Sequence, residues 1–174
     1  AWVSAYTEEL SFPVNGVVGE VPVRAGDRVK AGDRLIVLDL DSVREQYESL
    51  KDEIDATRRV NDWDFRMAET DIAILKSELS RLQRSGADAR TVELKELDVR
   101  EAEMNLAHDR ETRALSLSRS EKTLSQLAET LENDAIVAPF DGIVAREITV
   151  SEGSWITAYD PLVCMADDTR LRIT

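Results

Sequence analysis

The sequence predicts an α+β protein: a long antiparallel coiled-coil α-hairpin inserted between two half-motifs of one small β-sandwich. Three observations carry this expectation. Residues 42–133 contain no Pro and a single Gly, Gly86, near their centre, and they repeat apolar or small residues at heptad spacing. The residues before and after that stretch read as short strands separated by Gly-containing turns. The two flanks also copy one another, with Pro13-Val14-Asn15-Gly16-Val17-Val18 matching Pro139-Phe140-Asp141-Gly142-Ile143-Val144.

In the first flank, turn signals fall at Asn15-Gly16, Ala25-Gly26-Asp27 and Ala31-Gly32-Asp33. Val17, Val18, Val21 and Val23 precede the first Gly-Asp pair, and Leu35-Ile36-Val37-Leu38 follow the second. Their β-branched content favours strands, and Gly supplies the positive φ of tight turns. Asp39-Leu40-Asp41-Ser42 then marks the start of a helix, with Asp41 or Ser42 as the cap and Glu45 completing a capping box with Ser42.

The first arm places Val43, Tyr47, Leu50, Ile54, Thr57 and Asn61 on one seam. The seam resumes at Phe65, Ala68, Ile72, Leu75, Leu79 and Leu82 after one extra step of four, a stutter that locally unwinds a supercoil. The second arm repeats the pattern through Val99, Ala102, Leu106, Asp109 and Arg113, then Leu117, Ser120, Leu124, Leu127 and Leu131. Folding back at about Ala87 sets residue 65 opposite residue 109 and brings the two stutters together. Arg84-Ser85-Gly86-Ala87-Asp88 is a short link suited to an αα-hairpin. Each arm of about 43 residues spans about 65 Å at 1.5 Å per residue. Thr57, Asn61, Asp109 and Arg113 make the seam polar near the stutter, so this region is expected to be the weakest part of the hairpin. Asn133 is the expected C-cap.

After the hairpin, strand and turn chemistry returns at Ile136 to Val144, with further turns at Glu152-Gly153-Ser154 and Tyr159-Asp160-Pro161. The internal copy continues here. Gly26 and Gly153 each precede an Asp by seven residues (Asp33, Asp160) and a Leu by nine (Leu35, Leu162), with one extra residue before Gly153 in the second copy. Neither half is long enough to bury a sheet alone, so the two halves are expected to pair.

Composition narrows the function. Net charge is −13, and by residue count both the hairpin and its flanks are acidic, so no basic groove marks a nucleic-acid site and an anionic bilayer is a poor direct partner. The one Cys, Cys164, cannot form an internal disulfide and reads as a small buried hydrophobe. His108 stands without a second His, and Met67 with Met104 reads as gap-filling, so no metal site is expected. Trp63 lies off the seam. No acid/base pair, nucleophile–His pair or phosphate loop points to an enzyme, and no cofactor is expected. Signal-peptide and membrane-span patterns are absent from the sequence given. A start at Ala1 and the strand-like alternation of Arg170-Leu171-Arg172-Ile173-Thr174 suggest a piece of something longer.

The order half-motif, coiled-coil hairpin, half-motif resembles the membrane fusion proteins, or periplasmic adaptor proteins, of multidrug-efflux and haemolysin-type secretion systems. The resemblance runs from about Leu10 to the C-terminus. It rests on Asn15-Gly16-Val17-Val18, Val23, Gly26-Asp27, Val29, Gly32-Asp33, Leu35 to Asp39 and Ile136 to Val144. It implies a lipoyl/biotinyl-like β-domain of residues 1–41 plus 134–174, carrying a hairpin of residues 42–133 whose tip lies near 84–90. It further implies a periplasmic protein, anchored in the inner membrane through parts outside this sequence. Such a protein joins an inner-membrane transporter (ATP-binding-cassette, resistance-nodulation-division or major-facilitator type) to an outer-membrane channel, as a homo-oligomeric ring. The tip residues expected to meet the channel are Leu82, Arg84, Ser85, Gly86, Ala87, Asp88 and Arg90. Many members carry Arg, Leu and Ser at fixed tip spacing. Here Glu78 precedes Leu82 by four residues and Ala89 follows it by seven, which is not that pattern. A lipoate or biotin carrier needs an exposed Lys where the half-motifs join, and from Asp39 onward none occurs before Lys51 on the helix. A plain coiled-coil scaffold would explain the hairpin but not the duplicated flanks.

Overall fold

The computed structural model describes residues 3–146 and 148–173. In chain order the elements are β1 (Val3–Leu10), β2 (Gly16–Glu20), β3 (Arg28–Val29), β4 (Arg34–Asp39), α1 (Asp41–Ser85), α2 (Ala89–Glu132), β5 (Ala135–Val137), β6 (Gly142–Val144), β7 (Trp155–Ile156) and β8 (Val163–Ile173). Arg170 to Ile173 thus continue β8 and do not begin a new strand, whereas Thr174 lies outside the described residues. The chain forms two compact units, Ala1–Glu48 with Ser125–Thr174, and Ser49–Leu124. The division falls inside the helices because Val43 and Leu131 pack on the β core.

The β unit contains two antiparallel sheets, ordered β1-β8-β6-β3 and β5-β4-β2-β7. The internal copy superposes β1 to β4 on β5 to β8, and under that exchange the first sheet becomes the second. Each half gives its short strand to the other half's sheet: Arg28 and Val29 pair with Ile143 and Gly142, while Gly16 and Val17 pair with Ile156 and Trp155. The hydrogen bonds repeat as well. Gly26 N–H donates to the Val144 carbonyl at 2.9 Å, and Gly153 N–H donates to the Val18 carbonyl at 2.7 Å. Asp141 Oδ1 accepts Ala31 N–H and Asn15 Oδ1 accepts Ala158 N–H, both at 2.7 Å. Each Asx-Gly pair therefore fastens a turn of the opposite half. Gly16 was expected in a turn with positive φ. Instead it opens β2 beside the Leu38 side chain, and Asn15 does the fastening.

The buried cluster takes seven residues from each half, and its most deeply buried members are Phe12, Val18, Leu35 and Ile36 from the first and Val144 and Met165 from the second. Cys164 is half-buried, so the expectation of full burial does not hold. At Gly142 a Cβ would collide with the Ala166 carbonyl of β8, which is why β6 can lie so close to its neighbour. Gly26, Gly32 and Gly153 have positive φ, as their turns require, and Tyr159 takes φ 67° at the position matching Gly32. A left-handed residue bearing a Cβ costs about 1–2 kcal/mol.

The helices follow the heptad expectation with local changes. α1 begins at Asp41, whose N–H donates to Asp39 Oδ1 at 3.3 Å, so Asp39 supplies the acceptor expected of Asp41 or Ser42. α2 ends with Asn133 as its C-cap, the side-chain amide donating to the Glu129 carbonyl at 2.7 Å. In the hairpin unit Ile54, Ile72 and Val99 are buried on the seam. Thr57 and Asp109 were expected on the seam and are exposed. Arg113 takes the central place: its guanidinium donates to Asn61 Oδ1 at 3.0 Å and Asp64 Oδ2 at 2.6 Å. It also lies 5.5 Å from the Phe65 ring centre, with Arg110 at 5.3 Å. A guanidinium tolerates this half-buried site because a carboxylate, an amide and an aromatic face all receive it, whereas Asp109 would have no comparable partner. Ion pairs between the helices continue along the hairpin: Arg58–Glu121 at 2.5 Å, Glu69–Arg110, Lys76–Glu103 at 2.5 Å and Glu78–Lys95 at 2.6 Å.

Candidate docking surface at the hairpin tip

The link between the helices is fixed by two capping devices placed back to back. Gly86, with φ 75°, is the left-handed residue that stops α1. Ala87 N–H returns to the Leu82 carbonyl at 3.2 Å, the long bond of a Schellman motif, and Ser85 Oγ donates to the same carbonyl at 2.9 Å. Leu82 and Ala87 are half-buried, as expected of the apolar pair that accompanies this motif. Asp88 then caps α2. Its Oδ1 accepts Thr91 N–H at 3.1 Å, its Oδ2 accepts the Thr91 hydroxyl at 2.5 Å, and its main-chain carbonyl accepts Val92 N–H at 3.2 Å. The hydrogen bonds from Thr91 hold the Asp88 carboxyl below its ordinary range.

All seven residues singled out in the sequence therefore fall in one short segment, but they do different things there. Leu82, Gly86 and Ala87 build the turn, while Asp88 and Ser85 are engaged in capping bonds. Arg84 and Arg90 are exposed, with Arg84 Nε donating to the Ser80 carbonyl at 3.2 Å. Arg81, also exposed, stands one turn earlier and was not singled out. At the turn itself Arg84 and Arg90 outnumber Asp88, whereas Arg81 lies close enough to Glu78 to favour that carboxylate's charged form. Among the described residues no group of three His, Cys, Asp or Glu could hold a metal ion, and no helix is long and apolar enough to cross a membrane.

The solved structures that this chain resembles in fold include efflux and adaptor proteins. The chain aligns with MacA from Actinobacillus actinomycetemcomitans at TM-score 0.58 and 18% identity, over 97% of this chain and 54% of that one. A protein of Bacteroides eggerthii described as an efflux transporter gives 0.55 and 16%, over 95% and 40%. The periplasmic adaptor protein EmrA gives 0.50 and 19%, over 97% and 74%. At these identities the likeness is one of fold, shared with the periplasmic adaptor EmrA and with MacA. The chain spans about half the length of the first two of these relatives. Residues 7–167 match the CzcB-like barrel-sandwich hybrid domain, and the chain belongs to that family. No curated protein matches it in sequence.

Proposed function

We propose that this chain is the β-domain and hairpin of a periplasmic adaptor that joins an inner-membrane transporter to an outer-membrane channel in a tripartite efflux or type I secretion system. The observation that supports this reading best is a stiffly capped αα-link bearing exposed Arg84 and Arg90, carried by a family whose folds are those of adaptors. The role is mechanical. Residues 42–133 serve as the reaching element, residues 1–41 with 134–174 as the lipoyl-like element that assembles into a ring, and catalysis has no part. The tip, with Leu82, Arg84, Ser85, Gly86, Ala87, Asp88 and Arg90, meets the channel's helices. Its cationic side chains favour an acidic rim on that channel. The transporter is of the ATP-binding-cassette, resistance-nodulation-division or major-facilitator type, and anchoring in the inner membrane is supplied by parts outside this sequence.

The test is a double charge reversal, Arg84→Glu with Arg90→Glu, in the full-length protein. Export should fall while fold and membrane placement persist, and a photo-crosslinker at position 85 should capture a channel in the unaltered protein. Unchanged export together with no captured channel would leave the hairpin a scaffold.

A further inference from the structure

The internal copy also builds a groove in the β unit. Val21 and Val23 precede Gly26 by five and three residues, and Ile148 and Val150 precede Gly153 by the same steps. Pro22 and Thr149 stand exposed between them, while the four aliphatic side chains are half-buried against the β core. That alternation is the period of an extended chain, yet neither segment belongs to a strand. Together with Arg24, Ala25, Ser151 and Glu152 they line a cavity of about 640 Å³. Sites for small ligands commonly hold roughly 300–1,000 Å³, with an apolar lining and a few polar groups that fix orientation.

The polar groups are placed by two of the bonds that tie the halves together. Gly26 N–H reaches the Val144 carbonyl, so Arg24 and Ala25 lie beside the start of the second segment. Gly153 N–H reaches the Val18 carbonyl, so Ser151 and Glu152 lie beside the start of the first. The segments therefore run antiparallel, with a guanidinium at one end of the groove and a carboxylate at the other. Both side chains are exposed, and they are the ionisable groups among the lining residues. The shared backbone does not demand them, because Arg24 matches Ser151 and Ala25 matches Glu152 in the internal copy. Three steps of about 3.3 Å separate Val21 from Arg24 in an extended chain, so each wall is about 10 Å long.

We propose that this groove binds a short apolar peptide in extended form. The peptide's side chains lie against Val21, Val23, Ile148 and Val150, its α-carboxylate meets Arg24, and its α-ammonium meets Glu152. It runs parallel to residues 21–24 and antiparallel to residues 148–152. Charge complementarity selects this occupant. A fatty acid or a simple detergent carries charge at one end only and leaves Arg24 or Glu152 unmatched. A peptide of three or four residues carries both charges, about as far apart as the groove is long. The proposal goes beyond the adaptor reading and does not depend on it, because neither a transporter nor a channel takes part.

Titration of this chain with Leu-Val-Leu, followed by NMR through the methyl signals of Val21, Val23, Ile148 and Val150, tests it. The shifts should saturate, and Gly-Gly-Gly, which has no side chains to bury, should bind about tenfold more weakly or worse. N-acetylated and C-amidated Leu-Val-Leu should each bind about threefold more weakly than the free peptide, the loss expected for one exposed ion pair. Arg24→Ala should weaken the free peptide by the same factor yet leave the amidated one unchanged, and Glu152→Ala should do likewise with the acetylated one. Both side chains are exposed, so these variants keep the fold. Shifts that do not saturate, shifts confined to methyl groups elsewhere, equal binding of Gly-Gly-Gly, or capped peptides that bind as tightly as the free one would each overturn the proposal.

Discussion

The β unit and the hairpin unit are stabilised in opposite ways. In the β unit the buried residues form one cluster drawn from both halves, and each half completes the other's sheet. The segments that pair across the halves lie about a hundred residues or more apart in sequence, so each half relies on distant strands to complete its sheet. In the hairpin, burial is sparse: Ile54, Ile72 and Val99 mark the seam, and charged pairs set the register between them. Exposed pairs contribute little energy each, about 0–1 kcal/mol, but they penalise slippage because a shifted register brings like charges together. One unit is thus cooperative through packing, whereas the other is specified along its length.

The sharpest way to break this contrast is to empty the β core. Phe12→Ala should cost about 3–5 kcal/mol, and amide exchange should accelerate in both sheets together, including β8, which belongs to the other half. If only β1 and β4 loosened, the exchanged strands would not be coupling the halves. The corresponding change in the hairpin, Ile72→Ala, should cost about 2 kcal/mol, the low end for such a truncation, because its seam neighbours are only half-buried. Its effect on exchange should stay within a few turns of residue 72.

Next in size is the polar centre of the hairpin. Arg113→Ala removes a guanidinium from Asn61, Asp64 and Phe65 at once. Its side chain is 37% exposed, so water partly replaces these bonds and the expected cost is about 1–2 kcal/mol. The heptad pattern alone suggests that this region opens first. If the Arg113 cluster holds it, exchange near residues 61–65 should be slow in the unaltered protein and fast in Arg113→Ala. Equal rates in the two would return the region to a flexible joint.

What could be read beforehand follows from the range of each interaction. The seam, the link at Gly86 and the repeated flanks are local or periodic signals, and sequence displays such signals directly. The exchange of β3 and β7 between sheets is not visible that way, because a two-residue strand has no period and its partner lies across the hairpin. Arg113 was placed on the seam as a weakness. Its compensation depends on Asp64 and Phe65 meeting it from the other helix, which heptad counting cannot supply. Tyr159 could have been found, since it stands six residues after Gly153 as Gly32 stands six after Gly26. At the tip, spacing brought the right residues together but did not separate those that make the turn from those left exposed.

The smallest expected effect concerns Asp88, where the two kinds of stabilisation can be told apart by pH. Its carboxylate accepts two hydrogen bonds from Thr91, which favour the ionised form and hold its pKa below the ordinary value of about 3.9. A depressed folded-state pKa means that the unfolded chain takes up the proton first as pH falls. The contribution is therefore complete above the ordinary Asp range and disappears as pH drops through the lower, folded-state value. Glu78 shifts in the same direction because of its hydrogen bond to Lys95, so acid weakens the tip end of the hairpin twice. At neutral pH, Asp88→Ala should speed exchange of the Thr91 amide, while Asp88→Asn, still able to accept that bond, should largely preserve protection. On acidification the opening equilibrium of the unaltered protein should approach that of Asp88→Asn, which accepts the bond without a charge, and Asp88→Asn should lack the Asp88-dependent part of the change. If the unaltered protein and Asp88→Asn respond identically to acid, the cap does not act through its charge.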